Sequence, residues 1–137
     1  MKPFYLKVVA SDKLFFDGMA VSLNVQLDDG SIGILADHEN TFSVISTGEI
    51  CIKSENGEEI HAFVGDGFLE IIDGRTTVVV MSAEKPDEID AQRAKSALER
   101  AKEELKHKQT YREHEHSVSS LARATHRLEL IEKYKKN

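Results

Sequence analysis

Residues 75–98 read RTTVVVMSAEKPDEIDAQRAKSAL, and the chain changes character at Lys85-Pro86 within this stretch. Before that point apolar and polar residues alternate and glycines interrupt them, a pattern that predicts short β-strands. After it, alanine and charged residues recur at helical period with no further Gly or Pro, a pattern that predicts helices. The sequence therefore predicts two domains, residues 1–85 and residues 86–137.

The charge also changes at this boundary. Residues 1–84 contain 14 acidic and 5 basic residues, a net charge of −9, whereas residues 85–137 contain 10 acidic and 13 basic residues, a net charge of +3. Two bodies of opposite charge suggest different partners. A nucleic-acid partner is not expected, because the whole chain is acidic and its basic residues are interleaved with acidic ones.

The first domain is predicted to be a β-sandwich of about ten short strands. Residues 20–27 give the clearest strand, with alternating apolar and polar side chains. Asn56-Gly57 and Asp73-Gly74 each separate two strand-like runs and predict β-hairpins. Asp17-Gly18 predicts another turn, and Asp28-Asp29-Gly30 predicts the end of a strand.

The second domain is predicted to be an antiparallel pair of helices, residues 88–107 and 117–134, joined by a polar loop at 108–116. Pro86 suits a helix start, with Asp87 as the N-cap and Asp90 completing a capping box. Alanine dominates the apolar face of the first helix, and small side chains bury little apolar area. We therefore expect shallow packing and a hairpin that is able to leave its docked position.

Catalytic motifs are hard to find. There is no G-x-S-x-G sequence and no phosphate-binding glycine loop, and no cysteine is expected near a histidine. Cys51, between two isoleucines, is expected to be buried in a strand. His38 stands between Asp37 and Glu39, but turn carboxylates are common, so a solvated loop histidine is the simpler interpretation.

Neither metal binding nor membrane insertion is indicated. The histidines of the second domain lack the carboxylate or cysteine spacing that completes a zinc set; they are His107, His114, His116 and His126. No run approaches the roughly 20 apolar residues of a membrane span. The first residues also lack the apolar core of a signal peptide.

Four arginines suggest an anion site. Arg93 and Arg100 are expected to share one face of the first helix with Ile89, while Arg123 and Arg127 lie one turn apart on the second. Guanidinium groups bind phosphate oxygens in bidentate fashion. The alternative is an ordinary helix surface whose arginines are neutralised by nearby acidic residues, namely Glu99, Glu103 and Glu104.

The chain resembles the epsilon subunit of bacterial F-type ATP synthases along essentially its whole length. The resemblance is carried by FDG at 16–18, GSIGILADH at 30–38, VGDGFLE at 64–70 and the Ala- and Arg-rich helical pair. Ala36 and Asn40 stand where the family commonly has proline, and Asp66 stands where it commonly has glycine. These departures affect loops at the surface of the sandwich.

The resemblance implies a non-catalytic subunit of the central rotor. The sandwich would bind the gamma subunit and the c-ring. The hairpin would either fold onto the sandwich or extend into the alpha/beta catalytic head and inhibit ATP hydrolysis. The protein would be peripheral, at the cytoplasmic face of the bacterial membrane, with membrane contact only through the complex.

One branch of this family binds ATP in the folded hairpin, and residues 89–94, IDAQRA, match its motif. The resemblance implies that Glu84, Ile89 and Asp90 recognise adenine. It also implies that four arginines bind the phosphates, namely Arg93, Arg100, Arg123 and Arg127. Ala94 is included in the predicted site as the last residue of the motif. The protein would have no covalent cofactor, and ATP would be a regulatory ligand that binds with or without magnesium. The alternative is a free-standing ATP-sensing protein.

Overall fold

The computed structural model of the protein describes residues 1–27 and 30–135. It forms two compact units, Met1–Lys85 and Pro86–Asn137. The first contains β-strands and the second contains helices, so the predicted fold class is confirmed. The strand end predicted at Asp28-Asp29 lies outside the described residues.

Nine strands occur among the described residues of the first unit, close to the predicted number. They are β1 (Phe4–Ala10), β2 (Leu14–Leu27), β3 (Gly30–Ile34), β4 (Thr41–Ile45), β5 (Gly48–Ser54), β6 (Glu59–Val64), β7 (Gly67–Ile72), β8 (Arg75–Val80) and β9 (Ala83–Glu84). Strands β4 and β9 were not predicted from the sequence. Both are short, and β9 has only two residues, too few to show an alternating pattern.

The long strand β2 belongs to both layers of the sandwich. Its first half pairs with β1 and its second half pairs with β3 and β5, with a register shift between Ala20 and Ser22. One layer has the order β4-β7-β8-β1-β2, and the other continues through β2-β5-β6-β9 with β3 beside β2. The turn predicted at Asp17-Gly18 is wrong, because Gly18 lies within β2 opposite Leu6.

Branched aliphatic side chains form the core between the layers. Alternate residues of β1, β2 and β5 point inward, in agreement with the pleat of a strand. Many of them are completely buried, including Leu6, Val8, Leu23, Val25, Ile50 and Ile52.

Both predicted β-hairpins are confirmed. Asn56-Gly57 lies between β5 and β6, and Asp73-Gly74 lies between β7 and β8. Asp73 and Gly74 have φ angles of 50° and 79°, the left-handed conformation that both central residues of a type I′ turn require. This turn fixes the register in which β7 and β8 pair.

The first helix begins later than predicted. A 3-10 helix at Pro86–Glu88 precedes α1 (Ala91–Glu104), and the N-cap is Asp90. The predicted N-cap at Asp87 and its capping box are therefore wrong. Asp87 lies in the tighter 3-10 turn, and the Asp90 side chain accepts the Arg93 amide instead, at 3.0 Å.

The second helix begins earlier than predicted. Helix α2 spans Tyr111–Lys133, so most of the predicted loop at 108–116 is helical. Thr110 and Glu113 form a capping box: the Glu113 amide donates to Thr110 Oγ1 at 3.2 Å, and the Thr110 amide donates to Glu113 Oε1 at 3.3 Å. Caps of this kind satisfy amides that otherwise lack partners, and they support a first turn whose side chains are exposed.

Helix α2 packs along α1 and also contacts the 3-10 helix at Pro86–Glu88, which precedes α1. Because α2 follows α1 after a short loop and returns to the start of α1, the two helices are antiparallel. The buried residues of α1 are alanines, Ala94 and Ala101, as predicted, and those of α2 are Ser117, Ala124 and Leu130. The apolar period of the second helix predicts a buried stripe, and in the structure the buried stripe is rotated by one residue; the predicted residues are Val118, Leu121, Ala122, Thr125, Leu128 and Ile131. Val118 is 42% exposed, whereas its neighbour Ser117 is buried.

Candidate functional site

The start of α1 holds the first candidate residues. Asp90 has an extended backbone, and one of its carboxylate oxygens is occupied by the Arg93 amide. Ile89 is 9% exposed and precedes the helix, so the predicted helical face that included Ile89 is wrong for this residue. Asp90 thus sets the position at which α1 begins and, with it, the direction of Arg93.

Two arginines of α1 flank the contact with α2. Ala94 and Ala101 are buried, seven residues apart, and therefore lie on one line along the helix. Arg93 and Arg100 each precede one of these alanines by one residue, and both are exposed. Ala94 therefore has a packing role between α1 and α2, while Arg93 and Arg100 line the edge of the same contact.

Helix α2 presents a matching pair. Ser117 and Ala124 are buried, seven residues apart, and face α1. Arg123 and Arg127 lie one turn apart beside Ala124, and both are half-buried. Arg123 Nη2 donates to Ser120 Oγ at 3.1 Å, which holds this side chain along its own helix.

Helical geometry places the four arginines on the same face of the hairpin. The angle of each arginine around its helix is measured from the buried alanine beside it, and rotation toward the preceding residue is called backward. This angle is about 100° backward for Arg93, Arg100 and Arg123, each of which precedes its alanine by one residue. It is about 60° backward for Arg127, which follows Ala124 by three residues. Because the helices are antiparallel, a backward rotation on both leads to the same side.

The levels of the two arginine pairs also match. Ser117 Oγ donates to Glu104 Oε2 at 3.0 Å, which aligns these residues along the hairpin axis. Counting from this contact places Arg127 within about one turn of Arg93, and Arg123 within about one turn of Arg100. The two helices together therefore form one basic surface, defined by these four residues and named here the arginine face.

Two of the nearby acidic residues, Glu103 and Glu104, have other partners. Glu103 pairs with Lys106 and His107, each at 3.5 Å, and Glu104 accepts a hydrogen bond from Ser117. Within residues 1–27 and 30–135, no carboxylate lies within ion-pair distance of Arg93, Arg100 or Arg123. Neutralisation by Glu103 and Glu104 is thus not what the structure shows. Three guanidinium groups without such partners favour a multiply charged anion.

Glu84 lies in the other unit. It is half-buried in β9, where it pairs with Phe63 of β6. Its assignment to adenine recognition stays a prediction.

The histidines that were not expected to form a catalytic or metal site have different surroundings. His38 Nδ1 lies 2.9 Å from the Glu39 carbonyl, while Asp37 pairs with Lys2 at 2.9 Å, so the two do not form an acid–base pair. His114 and His116 are exposed on α2, and two residues along a helix separate side chains by about 200°. These two histidines therefore point away from each other.

A contact between Cys51 and His61 was not predicted from the sequence. The two residues are directly opposite on β5 and β6, and Cys51 Sγ lies 4.0 Å from His61 Nε2. The expectation that no cysteine is near a histidine is therefore wrong. Cys51 is half-buried, and burial, reinforced by the charge of Glu59, raises the pKa of its thiol. The position of the turn alone would have aligned Cys51 with Ala62; the observed pairing closes over three residues, Glu55 to Gly57, and counting outward from Ser54 and Glu58 aligns Cys51 with His61.

An apolar strip on the outer face of the β4–β7 pair was also not predicted from the sequence. Phe42 and Val44 of β4 are 66% and 69% exposed, and Phe68 and Ile72 of β7 lie on the same face. The Phe42 and Phe68 rings stack with centroids 5.4 Å apart. Because β4 is at the end of the strand order, this apolar strip borders an open sheet edge.

Comparison with known proteins identifies the family. Residues 3–86 match the model of the ATP synthase delta/epsilon chain β-sandwich domain, and residues 87–132 match that of the long α-helix domain. The chain belongs to the ATP synthase delta/epsilon chain family. The family inferred from the sequence is thus confirmed.

Relatives match over nearly their full length. An ATP synthase epsilon chain from Ruminiclostridium cellulolyticum is 39% identical over 93% of this chain and 95% of its own. Another from Caldanaerobacter subterraneus subsp. tengcongensis is 36% identical over 97% and 96%. Their names agree with the prediction that this chain is a subunit of a complex and not an enzyme by itself.

Solved structures share the fold. A chain of the Euglena gracilis mitochondrial ATP synthase aligns with a TM-score of 0.78 at 20% identity, covering 96% of this chain and 80% of its own. A chain from the central stalk and c-ring of the Tetrahymena thermophila enzyme gives a TM-score of 0.70 at 14% identity, covering 93% and 95%. Among the described residues, neither helix combines the length and apolarity needed to span a bilayer.

Proposed function

We propose that the chain is a non-catalytic rotor subunit of a proton-translocating F-type ATP synthase and that its helical hairpin binds ATP as a regulatory ligand. The arginine face carries this proposal. It collects four guanidinium groups from two helices, and three of them lack a carboxylate ion-pair partner among the described residues. A triphosphate supplies several anionic oxygens, and guanidinium groups bind such oxygens through charge-assisted, often bidentate hydrogen bonds.

Regulation follows from the division of the site between helices. An anion that binds Arg93 and Arg100 together with Arg123 and Arg127 binds only while α1 and α2 are packed side by side. Such a ligand shifts the population toward the folded hairpin by its difference in affinity for the two states. Loss of ATP would release the hairpin to inhibit hydrolysis in the alpha/beta catalytic head.

The apolar strip supports a role inside a complex. Exposed apolar surface of this kind marks protein interaction sites, and its aromatic residues are of the type enriched at interfaces. We assign the sandwich to contacts with the gamma subunit and the c-ring, which would hold the protein at the cytoplasmic face of a bacterial membrane. The alternative, a free-standing ATP sensor, gives no reason for the apolar strip.

Calorimetric titration of the full chain with ATP tests the hairpin. We expect one-to-one binding, weakened at least about ten-fold by Arg127→Ala, because a charge-assisted contact contributes about 1.5–3 kcal/mol. Lys95→Ala is the matched control: it removes one positive charge from α1 on the side opposite the arginine face. Titrations with and without Mg²⁺ determine whether the metal takes part.

A separate assay tests regulation and the partners. In an ATP synthase assembled with this subunit, Arg93→Ala should shift inhibition of hydrolysis to higher ATP concentration. Absence of binding at millimolar ATP would refute the regulatory ligand but leave the rotor assignment intact. Failure of the chain to co-purify with its gamma subunit would refute the rotor assignment.

A further inference from the structure

A second cluster lies on the outer face of β5 and β6, within the sandwich. Cys51 is directly opposite His61 in the antiparallel register, and Glu59 is two residues before His61 on the same strand. Side chains at these positions share one face, because successive residues of a strand alternate. The hairpin turn at Asn56-Gly57 therefore brings the thiol of β5 next to the carboxylate and the imidazole of β6.

The three potential ligand atoms form a compact triangle. Cys51 Sγ lies 4.0 Å from His61 Nε2 and 3.7 Å from Glu59 Oε1, and His61 Nε2 lies 3.0 Å from the same oxygen. Tetrahedral Zn²⁺ has bonds of about 2.0–2.3 Å to such atoms, so neighbouring ligands are about 3.3–3.6 Å apart. The observed triangle needs shifts of only a few tenths of an ångström to match it.

A fourth side chain orients the imidazole. Glu49 Oε1 lies 3.3 Å from His61 Nδ1, on the side of the ring away from Cys51 and Glu59. Histidines that bind metal ions through one nitrogen usually donate the other N–H to a carboxylate or carbonyl. Glu49 thus directs Nε2 toward the other two ligand atoms.

We infer that Cys51, Glu59 and His61 form a binding site for a zinc ion on the outer surface of the sandwich. Thiolate, imidazole and carboxylate are the three ligand types that zinc accepts, whereas Mg²⁺ and Ca²⁺ prefer oxygen ligands alone. Glu59 is 52% exposed, so solvent reaches the cluster and supplies the fourth ligand. The site lies outside the arginine face and does not depend on nucleotide binding.

Titration of the reduced full-length protein with ZnCl₂, against a chromophoric chelator, tests this inference. We expect one zinc ion per chain, with affinity lowered at least about ten-fold by Cys51→Ser and by His61→Ala. Titration with CoCl₂ gives a spectroscopic check, because a thiolate ligand produces a charge-transfer absorption that Cys51→Ser would abolish. Glu49→Gln should weaken binding by about ten-fold, the lower end of the effect of removing such an orienting group.

The matched control is the double variant His114→Gln/His116→Gln, which removes two exposed histidines from α2. We expect its zinc affinity to equal that of the unmodified chain. Zinc binding that survives Cys51→Ser, or that disappears in the α2 variant, would overturn the inference. So would the absence of saturable binding at micromolar zinc. Circular dichroism of each variant verifies that the sandwich remains folded.

Discussion

The sandwich and the hairpin are stabilised in different ways. Large branched side chains such as Leu6, Leu23 and Ile50 are completely buried in the sandwich, and its strands pair across long sequence separations. In α1 and α2 the buried residues are three alanines, a serine and a leucine. Because burial energy scales with apolar area, the chain combines a firmly packed body with one whose internal packing is weak. The mobile hairpin that we propose requires weak packing of this kind.

Removal of a core side chain should give the largest difference between the units. Leu23→Ala should lower the free energy of unfolding of the sandwich by about 2–5 kcal/mol, because it leaves a cavity at a fully buried position. Hydrogen exchange of the β-strand amides measures this loss. Leu130→Ala, at a buried position of α2, should accelerate exchange in the helices and leave the strand amides protected. Equal acceleration in both units would show that they unfold as one body.

A close backbone approach in the sandwich should give the next largest effect. A Cβ atom on Gly67 would lie 1.9 Å from the Val79 carbonyl oxygen and 2.7 Å from Val80 Cα, where β7 pairs with β8. Gly67→Ala should therefore destabilise the sandwich by about 1–3 kcal/mol in urea unfolding. Gly18→Ala is the control, since its nearest contact would be 3.9 Å away. A larger loss in Gly18→Ala than in Gly67→Ala would contradict this explanation.

Loss of the α2 cap should give the smallest effect, confined to the hairpin. Thr110→Ala removes the acceptor for the Glu113 amide and should cost about 1 kcal/mol of helix stability. Exchange of the first-turn amides of α2 measures this cost. Ser119→Ala, an exposed change within the same helix, should alter stability by no more than about 0.5 kcal/mol. Protection that is unchanged in Thr110→Ala would mean that the capping box is dispensable.

Local signals predicted the sandwich well where turn chemistry and strand pairing agreed. Asn56-Gly57 and Asp73-Gly74 form turns as expected, but Asp17-Gly18, a similar dipeptide, is extended within β2. There Gly18 is held opposite Leu6 by pairing with β1, and this tertiary interaction overrides the local preference. Short sequence patterns do not contain information about such pairing.

Sequence spacing predicts only part of the geometry of the arginine face. The arginine pairs on each helix follow from helical spacing, but their common face depends on which residues are buried between the helices, and the predicted stripe was rotated by one residue. The first turns of α2 were missed because their side chains, such as Tyr111 and His114, are exposed and give no apolar period. Thr110 and Glu113 had the spacing of a capping box and carried the available signal.

The parallel pairing of β1 with β8 has a consequence for synthesis on the ribosome. Strand β1 aligns with β8 from Tyr5↔Arg75 to Ala10↔Val80. One edge of β1 therefore stays unpaired until the ribosome has synthesised β8. At 5–20 residues per second, the delay is roughly 3–13 s. During that interval the nascent chain exposes an unpaired apolar β-edge, which is a template for aggregation until β8 has been synthesised.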